Sequence, residues 1–388
     1  MLTVYKLLSS PFLASLQSVF GRPSGSTIAQ KIKALFASSE QGAWYDPSDF
    51  TTLFQDSAGT TPVTAVEQQV GLMLDKRLGL VRGSELVTNG DFADASSWTF
   101  VGGAAWSSGT AAFSAAGDVI QGGAVVASGT ICAITFDITT ALTATLTVYL
   151  GGAPAGTFAS GSVGSKAMTF AKAAFNNNVQ FSLAAGVGAI DNISVKQIIG
   201  AHATQATAPA RFTLKDIGGF KSVFLDGIDD NLATTTGGGG TTGFFLCQAI
   251  KPTAGAGALR TIWSDTGTNS GYKVQLDALN KLSFSAGNGT AFTTIASTAT
   301  VDVGTTSLIT VWDDGTNLNV QIGSAAAQTV ARPVVTAGTA AFTIGKDNGA
   351  ATSFFTGNLY PEVYRQGSGL TAAQRTSVQT YCKSKAGL

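Results

Sequence analysis

Thr143-Ala-Thr-Leu-Thr-Val-Tyr-Leu150 decides the fold, because its residues alternate between apolar and polar. The apolar set is Ala144, Leu146, Val148 and Leu150, and Tyr149 belongs with the threonines on the opposite face. A period of two is that of a β-strand with one face buried and the other in solvent. The pattern predicts a half-buried strand in a domain built of strands.

The same alternation continues outward from this strand. Ile131–Ile138 places Cys132, Ile134, Phe136 and Ile138 on one face, so Cys132 is interpreted as a small core residue. Glycine pairs at 122–123 and 151–152 and the run 186–188 separate the apolar segments. Residues 84–197 are therefore predicted to form one β domain.

Residues 200–365 form a second region of short strands, whose spacing of 8–12 residues favours a β-sandwich. Within it, Asp314-Gly315 predicts a type I′ hairpin turn. Leu370-Thr-Ala-Ala-Gln374 is a capping-box pattern that predicts a C-terminal helix.

Residues 1–41 differ from the rest because their apolar residues recur with helical spacing. Two successive stripes follow the i, i+4, i+7, i+8 pattern: Phe12, Leu16, Val19 and Phe20, then Ile28, Ile32, Leu35 and Phe36. Two interpretations are open. The helices either pack on the body of the protein or form an anchor that docks on a larger assembly, since helices this short are marginal alone.

Composition excludes several functions. Charged residues make up only 12% of the chain, and 23 basic residues balance 23 acidic ones, so no overall field attracts a nucleic acid. The three cysteines are too far apart in sequence for a disulfide framework or a metal-knuckle spacing. The N-terminus is a poor signal peptide and no segment is apolar enough to span a membrane, so we expect synthesis in the cytoplasm.

The second β region resembles laminin G-like, concanavalin A-like domains. Lys221-Ser-Val-Phe-Leu-Asp-Gly-Ile-Asp-Asp-Asn-Leu232 is similar to the opening strand of that family, and Phe244–Pro252, Tyr272–Phe284 and Leu308–Gly323 resemble its later strands. The resemblance covers roughly 170 residues in family order. It implies a lectin-like sandwich.

Two further resemblances set the domain organisation. Glu85-Leu-Val-Thr-Asn-Gly-Asp-Phe92 and Ile190–Val195 resemble the first and last strands of jelly-roll carbohydrate-binding modules. Gly42–Phe50 and Leu53–Val63 resemble an introductory segment of bacteriophage virion proteins, whose usual continuation here begins only at residue 201. We therefore expect a helical anchor at 1–41, a sandwich formed by 42–83 and 198–388, and a jelly roll at 84–197 inserted at a surface turn.

Catalytic motifs are absent from the sequence, and we expect no enzyme, cofactor or metal. No Glu-x-Asp-x-x-Glu hydrolase pattern, Gly-x-Ser-x-Gly elbow or phosphate-binding loop occurs, and His202 is the single histidine. The richest acidic cluster, Asp226, Asp229 and Asp230, is interpreted as a turn, with a weak calcium site as the alternative.

Sugar binding needs aromatic faces flanked by polar groups. The candidates in the jelly roll are Trp98, Trp106 and Tyr149, and those in the sandwich are Trp263, Asp265, Asn269 and Tyr272. Core packing is the alternative for each aromatic ring.

Together these features predict a mainly β, non-enzymatic phage virion protein on the particle surface, a head or tail fibre or decoration protein. It would dock on other virion proteins through its N-terminus, assemble with copies of itself, for instance as a trimer, and contact bacterial surface glycans weakly and multivalently. The alternatives are a capsid cement protein without glycan binding and a polysaccharide depolymerase, which would need paired acids in a cleft. Neither nucleic acid nor membrane is an expected partner.

Overall fold

The computed structural model describes residues 26–38, 40–123, 127–237, 240–253, 255, 257–338, 341–348, 353–367 and 369–388. The chain is mainly β, as predicted, with several sheets and two helices, one of them C-terminal. None of the helices in these ranges has the length and apolar character that a membrane crossing requires.

The helices are α1 (Ile28–Ala34) and α2 (Ala372–Ala386). The strands, in chain order, are β1 Gly42–Tyr45, β2 Leu53–Phe54, β3 Gln69–Val70, β4 Leu72–Met73, β5 Arg82–Glu85, β6 Thr99–Ser107, β7 Thr110–Gly122, β8 Ile131–Thr140, β9 Leu146–Leu150, β10 Ala153–Phe158, β11 Gly164–Ala171, β12 Asn178–Leu183, β13 Gly188–Ile198, β14 Ala203–Thr204, β15 Phe212–Ile217, β16 Phe220–Asp226, β17 Leu232–Gly237, β18 Phe244–Pro252, β19 Arg260–Ser264, β20 Ser270–Leu276, β21 Lys281–Asn288, β22 Phe292–Thr300, β23 Ser307–Asp313, β24 Asn317–Ile322, β25 Gln328–Ala331, β26 Ala341–Ile344 and β27 Thr356–Gln366.

Two of the three sheets enclose one core. Sheet I has the order β25-β24-β23-β18-β27-β16-β15-β3, with β1 paired to β27, and sheet II has the order β2-β4-β14-β17-β26-β19-β20-β21-β22. Apolar residues of both sheets, such as Leu246, Val311, Val274 and Phe284, are fully buried in one cluster between them. Strands before residue 74 and after residue 202 therefore form a single sandwich.

The third sheet contains every described strand from residue 82 to residue 198, in the order β10-β9-β12-β7-β13-β8-β11, with β5 on β13 and β6 on β7. This sheet, called here the jelly-roll sheet, curls into a nearly closed barrel. Its interior holds the residues that alternation predicted, including Cys132, Phe136, Leu146 and Val148. The boundaries of an inserted domain at 84 and 197 stay a prediction.

Asp75 and His202 tie together the two chain segments that lead into and out of the jelly-roll sheet. The buried Asp75 carboxylate accepts hydrogen bonds from the backbone N–H of Trp44 (3.0 Å) and Ala201 (2.9 Å). His202 Nδ1 accepts from the Asp75 N–H (3.0 Å), so its Nε2 carries the proton and donates to the Ile198 carbonyl (2.9 Å). Burial lowers the pKa of His202, which favours this neutral form.

Helix α1 covers the sandwich of its own chain. Its capping box, Thr27 with Gln30, forms as the sequence pattern predicts. Ile32, Leu35 and Phe36 are buried in a cluster on the outer side of sheet I together with α2, and Ile28 packs against the same cluster. The prediction that Ile32, Leu35 and Phe36 dock on a larger assembly is therefore wrong, because their apolar surface is already covered intramolecularly. Ile28 is half-buried, and its role in docking stays a prediction. The other predicted docking residues, Phe12, Leu16, Val19 and Phe20, lie outside the described residues.

The remaining local predictions are confirmed with one change. Thr371 and Gln374 form the capping box of α2. The β23–β24 hairpin forms, but only Gly315 has a positive φ (90°), whereas a type I′ turn needs positive φ at both central residues. The Asp314 side chain instead accepts hydrogen bonds from the backbone N–H groups of Thr316 and Asn317.

Candidate functional site

Trp263 and Tyr272, two of the predicted sugar-stacking residues, are 0% exposed. Both rings pack on Phe244 in the core between sheets I and II, with centroid distances of 4.7 and 5.0 Å. The Tyr272 hydroxyl donates to Asp313 Oδ2 at 2.7 Å. The prediction that these rings stack on sugars is wrong, because neither has a face open to solvent.

Asp265 and Asn269, their predicted polar companions, hold a loop in place. The buried Asp265 accepts from the Tyr272 N–H through Oδ1 and from Gln366 Nε2 through Oδ2. Burial raises the pKa of Asp265 to about 7. Asn269 takes a positive φ of 53° and its Nδ2 donates to the Thr290 carbonyl at 2.7 Å. Assigning Asp265 to a sugar site is wrong because its carboxyl group is enclosed.

The two tryptophans predicted in the jelly roll differ in exposure. Trp98 is buried against Phe92 and donates from Nε1 to the Asn89 carbonyl, so the sugar-binding prediction for Trp98 is wrong. Trp106 is 40% exposed, although its Nε1 donates to the Phe92 carbonyl at 2.8 Å. Trp106 therefore keeps part of its ring available to a ligand.

Tyr149 lies in the middle of an outward face of the jelly-roll sheet. In the strand register it stands opposite Pro154 of β10 on one side and Gln180 of β12 on the other. Directly opposed residues of antiparallel strands project to the same face. Because Val148 and Leu150 point into the barrel, Tyr149, Pro154 and Gln180 project outward as one row.

A second row runs parallel to the first, two residues along each strand. It joins Thr147 of β9 to Ser182 of β12 and Ser182 to Asp118 of β7. Thr147, Tyr149, Gln180, Ser182 and Asp118 are all half-buried. In the described part of the chain these five side chains have neither a hydrogen bond nor an ion pair. We call Tyr149, Pro154, Thr147, Gln180, Ser182 and Asp118 the Tyr149 face.

The Tyr149 face offers the two components of sugar recognition side by side. The tyrosine ring supplies a surface for C–H groups, while the amide, hydroxyl and carboxylate groups can donate to and accept from hydroxyls. Sequence reasoning found Tyr149 but missed its neighbours. Alternation in Asn178–Leu183 places Gln180 and Ser182 outward, yet it does not reveal that this strand pairs with β9.

A pair of carboxyl groups lies elsewhere on the jelly-roll sheet. Asp191 of β13 stands opposite Asp137 of β8, beside a cavity of about 400 Å³. Hydrogen bonds from Ser165 and Asn192 lower the pKa of Asp137, whereas burial and the nearby charges of Asp137 and Asp91 raise the pKa of Asp191. Sequence reasoning did not find this pair, because the two residues are more than fifty positions apart.

Asp226, Asp229 and Asp230 lie together, with carboxylate oxygens within 4.8 Å of one another. Asp226 accepts from the Ile228 N–H, and the buried Asp230 accepts from the Asp226 N–H at 2.8 Å. Burial raises the pKa of Asp230 to about 6. These hydrogen bonds are those of a turn stabilised by aspartate side chains, the interpretation that the sequence favours.

No protein-family model matches the sequence, and no curated protein does. Solved structures with distant similarity include domain 4 of AbnA, a GH43 extracellular arabinanase from Geobacillus stearothermophilus, in complex with arabinotriose (15% identity, TM-score 0.34, 43% of this chain and 81% of that chain). Another is the CBM40 of the Ruminococcus gnavus IT-sialidase (13% identity, TM-score 0.32, 41% of this chain and 96% of that chain). A third is tailspike protein 2 of Escherichia coli O157:H7 bacteriophage CAB120 (14% identity, TM-score 0.35, 46% of this chain and 27% of that chain). Similarity this distant transfers no function to the present chain.

Proposed function

We propose that this protein is a non-enzymatic adhesion protein that binds bacterial surface glycans through the Tyr149 face. One observation carries the proposal: a half-exposed aromatic ring is surrounded by polar side chains that have no partner among the described residues. Unpaired polar groups at a solvent-exposed face exchange water for ligand hydroxyls at little cost, whereas the enclosed groups around Trp263 would need the core to open.

A phage virion role is part of the same proposal. It is supported by the resemblance of residues 42–63 to the introductory segment of virion proteins, and an arrangement of many copies on a particle surface would convert weak single sites into useful avidity. The described N-terminal helix packs on its own sandwich, so attachment to other virion proteins would have to use residues 1–25 or a surface of the β domains.

The test compares Tyr149→Thr with Tyr149→Phe and Trp106→Thr in a multivalent display on beads, using an array of bacterial surface oligosaccharides. Threonine preserves strand propensity while removing the ring. We expect Tyr149→Thr to lower retention at least tenfold, Tyr149→Phe to retain most of it, and Trp106→Thr to behave as the unmodified protein. Thermal unfolding confirms that each variant is folded.

Two outcomes would contradict the proposed site. Loss of binding in Trp106→Thr alone would move the site to Trp106. Absence of binding to every oligosaccharide by the unmodified protein would favour the cement protein, for which four tryptophans buried as packing residues (Trp44, Trp98, Trp263 and Trp312) are the structural observation.

A polysaccharide hydrolase is the second candidate, favoured by the Asp137–Asp191 pair. Environments that push two carboxyl pKa values apart are what an acid and a base or nucleophile require. The assay is release of reducing ends from bacterial polysaccharide, with Asp191→Asn as the variant. Release that Asp191→Asn abolishes would establish this function in place of simple adhesion.

A further inference from the structure

A cleft of about 770 Å³ lies between the jelly-roll sheet and the sandwich. One wall is the segment 51–62, and the other is formed by residues of β10 and β11, the two ends of the strand order of the jelly-roll sheet. A backbone hydrogen bond from Ala171 to Ala58 (2.7 Å) joins the two walls at one end. The volume lies within the range of ligand-binding pockets, which often occur where two domains meet.

The cleft combines an apolar floor with hydroxyl-bearing walls. Leu80, Phe158 and Met168 form part of the floor and are half-buried, so they present apolar surface to the cleft. Thr60 and Thr61 line one wall. Their positions are fixed by Asp56, whose carboxylate accepts from both backbone N–H groups (3.1 and 2.8 Å). A wall held in this way is preorganised for a ligand.

Arg82 gives the cleft its charge. Among the described residues that line the cleft it is the one ionisable side chain, and it is exposed. It also has no hydrogen bond or ion pair within the described part of the chain, whereas Arg77, Arg332 and Arg365 are each paired with a carboxylate. A guanidinium with free donors binds carboxylates strongly and in a defined orientation.

We propose that this cleft binds a saccharide that carries a carboxylate, such as a uronic acid unit, with Arg82 contacting the acid group. The apolar floor receives the C–H face of a sugar ring. The Thr60 hydroxyl donates to Asp56 Oδ2 (2.8 Å), and its oxygen can still accept from a sugar hydroxyl. The choice of a saccharide rests on the proposed function. Pro154 borders both this cleft and the Tyr149 face, whereas Arg82 and the threonine wall belong to the cleft alone.

The experiment titrates the full chain with trigalacturonate and a hyaluronan tetrasaccharide by calorimetry, with the trigalacturonate methyl ester as the uncharged match. We expect both acids to bind more tightly than the ester, and their affinity to fall as salt rises. Arg82→Gln should weaken binding of the acids about ten- to a hundredfold, the range of a charge-assisted hydrogen bond.

Two further variants make the result specific. Lys166→Gln also removes one positive charge. Lys166 lies on β11 but does not line the cleft, so this variant should leave binding unchanged. Ala167→Trp places a large ring on the exposed cleft side of β11 and should abolish binding of the acids by filling the space. Thermal unfolding of each variant checks that the protein is folded.

Equal binding of acid and ester, no binding of either acid, or unchanged binding in Arg82→Gln would each overturn the proposal. If the proposal of glycan binding at the Tyr149 face is wrong, the result differs, because Tyr149→Thr would then leave retention on the oligosaccharide array unchanged. The two proposals can therefore fail separately.

Discussion

Replacing Glu362 by glutamine should remove a loss of stability that we expect as the pH rises from 5 to 8. Glu362 lies on β27 opposite Gln248 and Tyr45, and it is 2% exposed. Neither of its carboxyl oxygens has a hydrogen-bond partner within the described part of the chain. A buried carboxyl group without partners is much less costly when it is protonated.

The magnitude follows from the displaced titration. Burial raises the pKa of Glu362 from 4.5 to about 8. Between these values the unfolded chain loses the proton while the folded chain keeps it, so stability is greatest below pH 4.5 and falls by about 1.4 kcal/mol for each pH unit. From pH 5 to pH 8 the loss amounts to about 3.5 kcal/mol.

Urea unfolding of the unmodified protein and of Glu362→Gln at pH 5 and pH 8 measures this term. The stability of the variant relative to the unmodified protein should rise by about 3.5 kcal/mol between the two pH values, since glutamine does not ionise. Glu67→Gln, at an exposed glutamate, should show no comparable change. Glu362→Leu provides the same comparison if the amide is poorly tolerated. Parallel pH dependence of the unmodified protein and both Glu362 variants would refute the reasoning.

Two other predictions concern buried hydrogen bonds. Tyr381→Phe should lower the free energy of unfolding by about 1–3 kcal/mol. The reason is that the Tyr381 hydroxyl accepts from Trp44 Nε1 (2.9 Å) and donates to Asp46 Oδ2 (2.8 Å). Chemical denaturation measures this loss. His202→Asn should remove a pH dependence of stability that runs opposite to that of Glu362. Burial lowers the pKa of His202 below 6.5, so the folded protein gains stability from the neutral imidazole above pH 6.5 and loses that stability as the pH falls further. If the variant loses as much stability as the unmodified protein between pH 7 and pH 5, then another group titrates there, and the Asp75–His202 hydrogen bond is not its cause.

The β content and the inward residues could be predicted from sequence because alternation is a local property. Leu146, Val148 and Leu150 point inward whichever strands flank them. The neighbours of a strand are set by the whole topology, so the contribution of Gln180 and Ser182 to the Tyr149 face was not predictable. The same limit explains the error at Trp263, whose polar sequence neighbours, such as Asp265, are themselves enclosed.

The role of the N-terminus in attachment should be tested by deletion at residue 25 instead of residue 41. Deleting residues 1–41 would remove Ile32, Leu35 and Phe36 from their cluster and expose apolar surface of sheet I and α2, so failure to join a particle could then reflect a damaged sandwich. Deleting residues 1–25 keeps Ile32, Leu35 and Phe36 in the chain, and the unfolding temperature of this variant measures whether the sandwich is intact. If this shorter deletion is stable yet absent from particles, residues 1–25 carry attachment. If it is stable and still incorporated, the docking surface lies on the β domains.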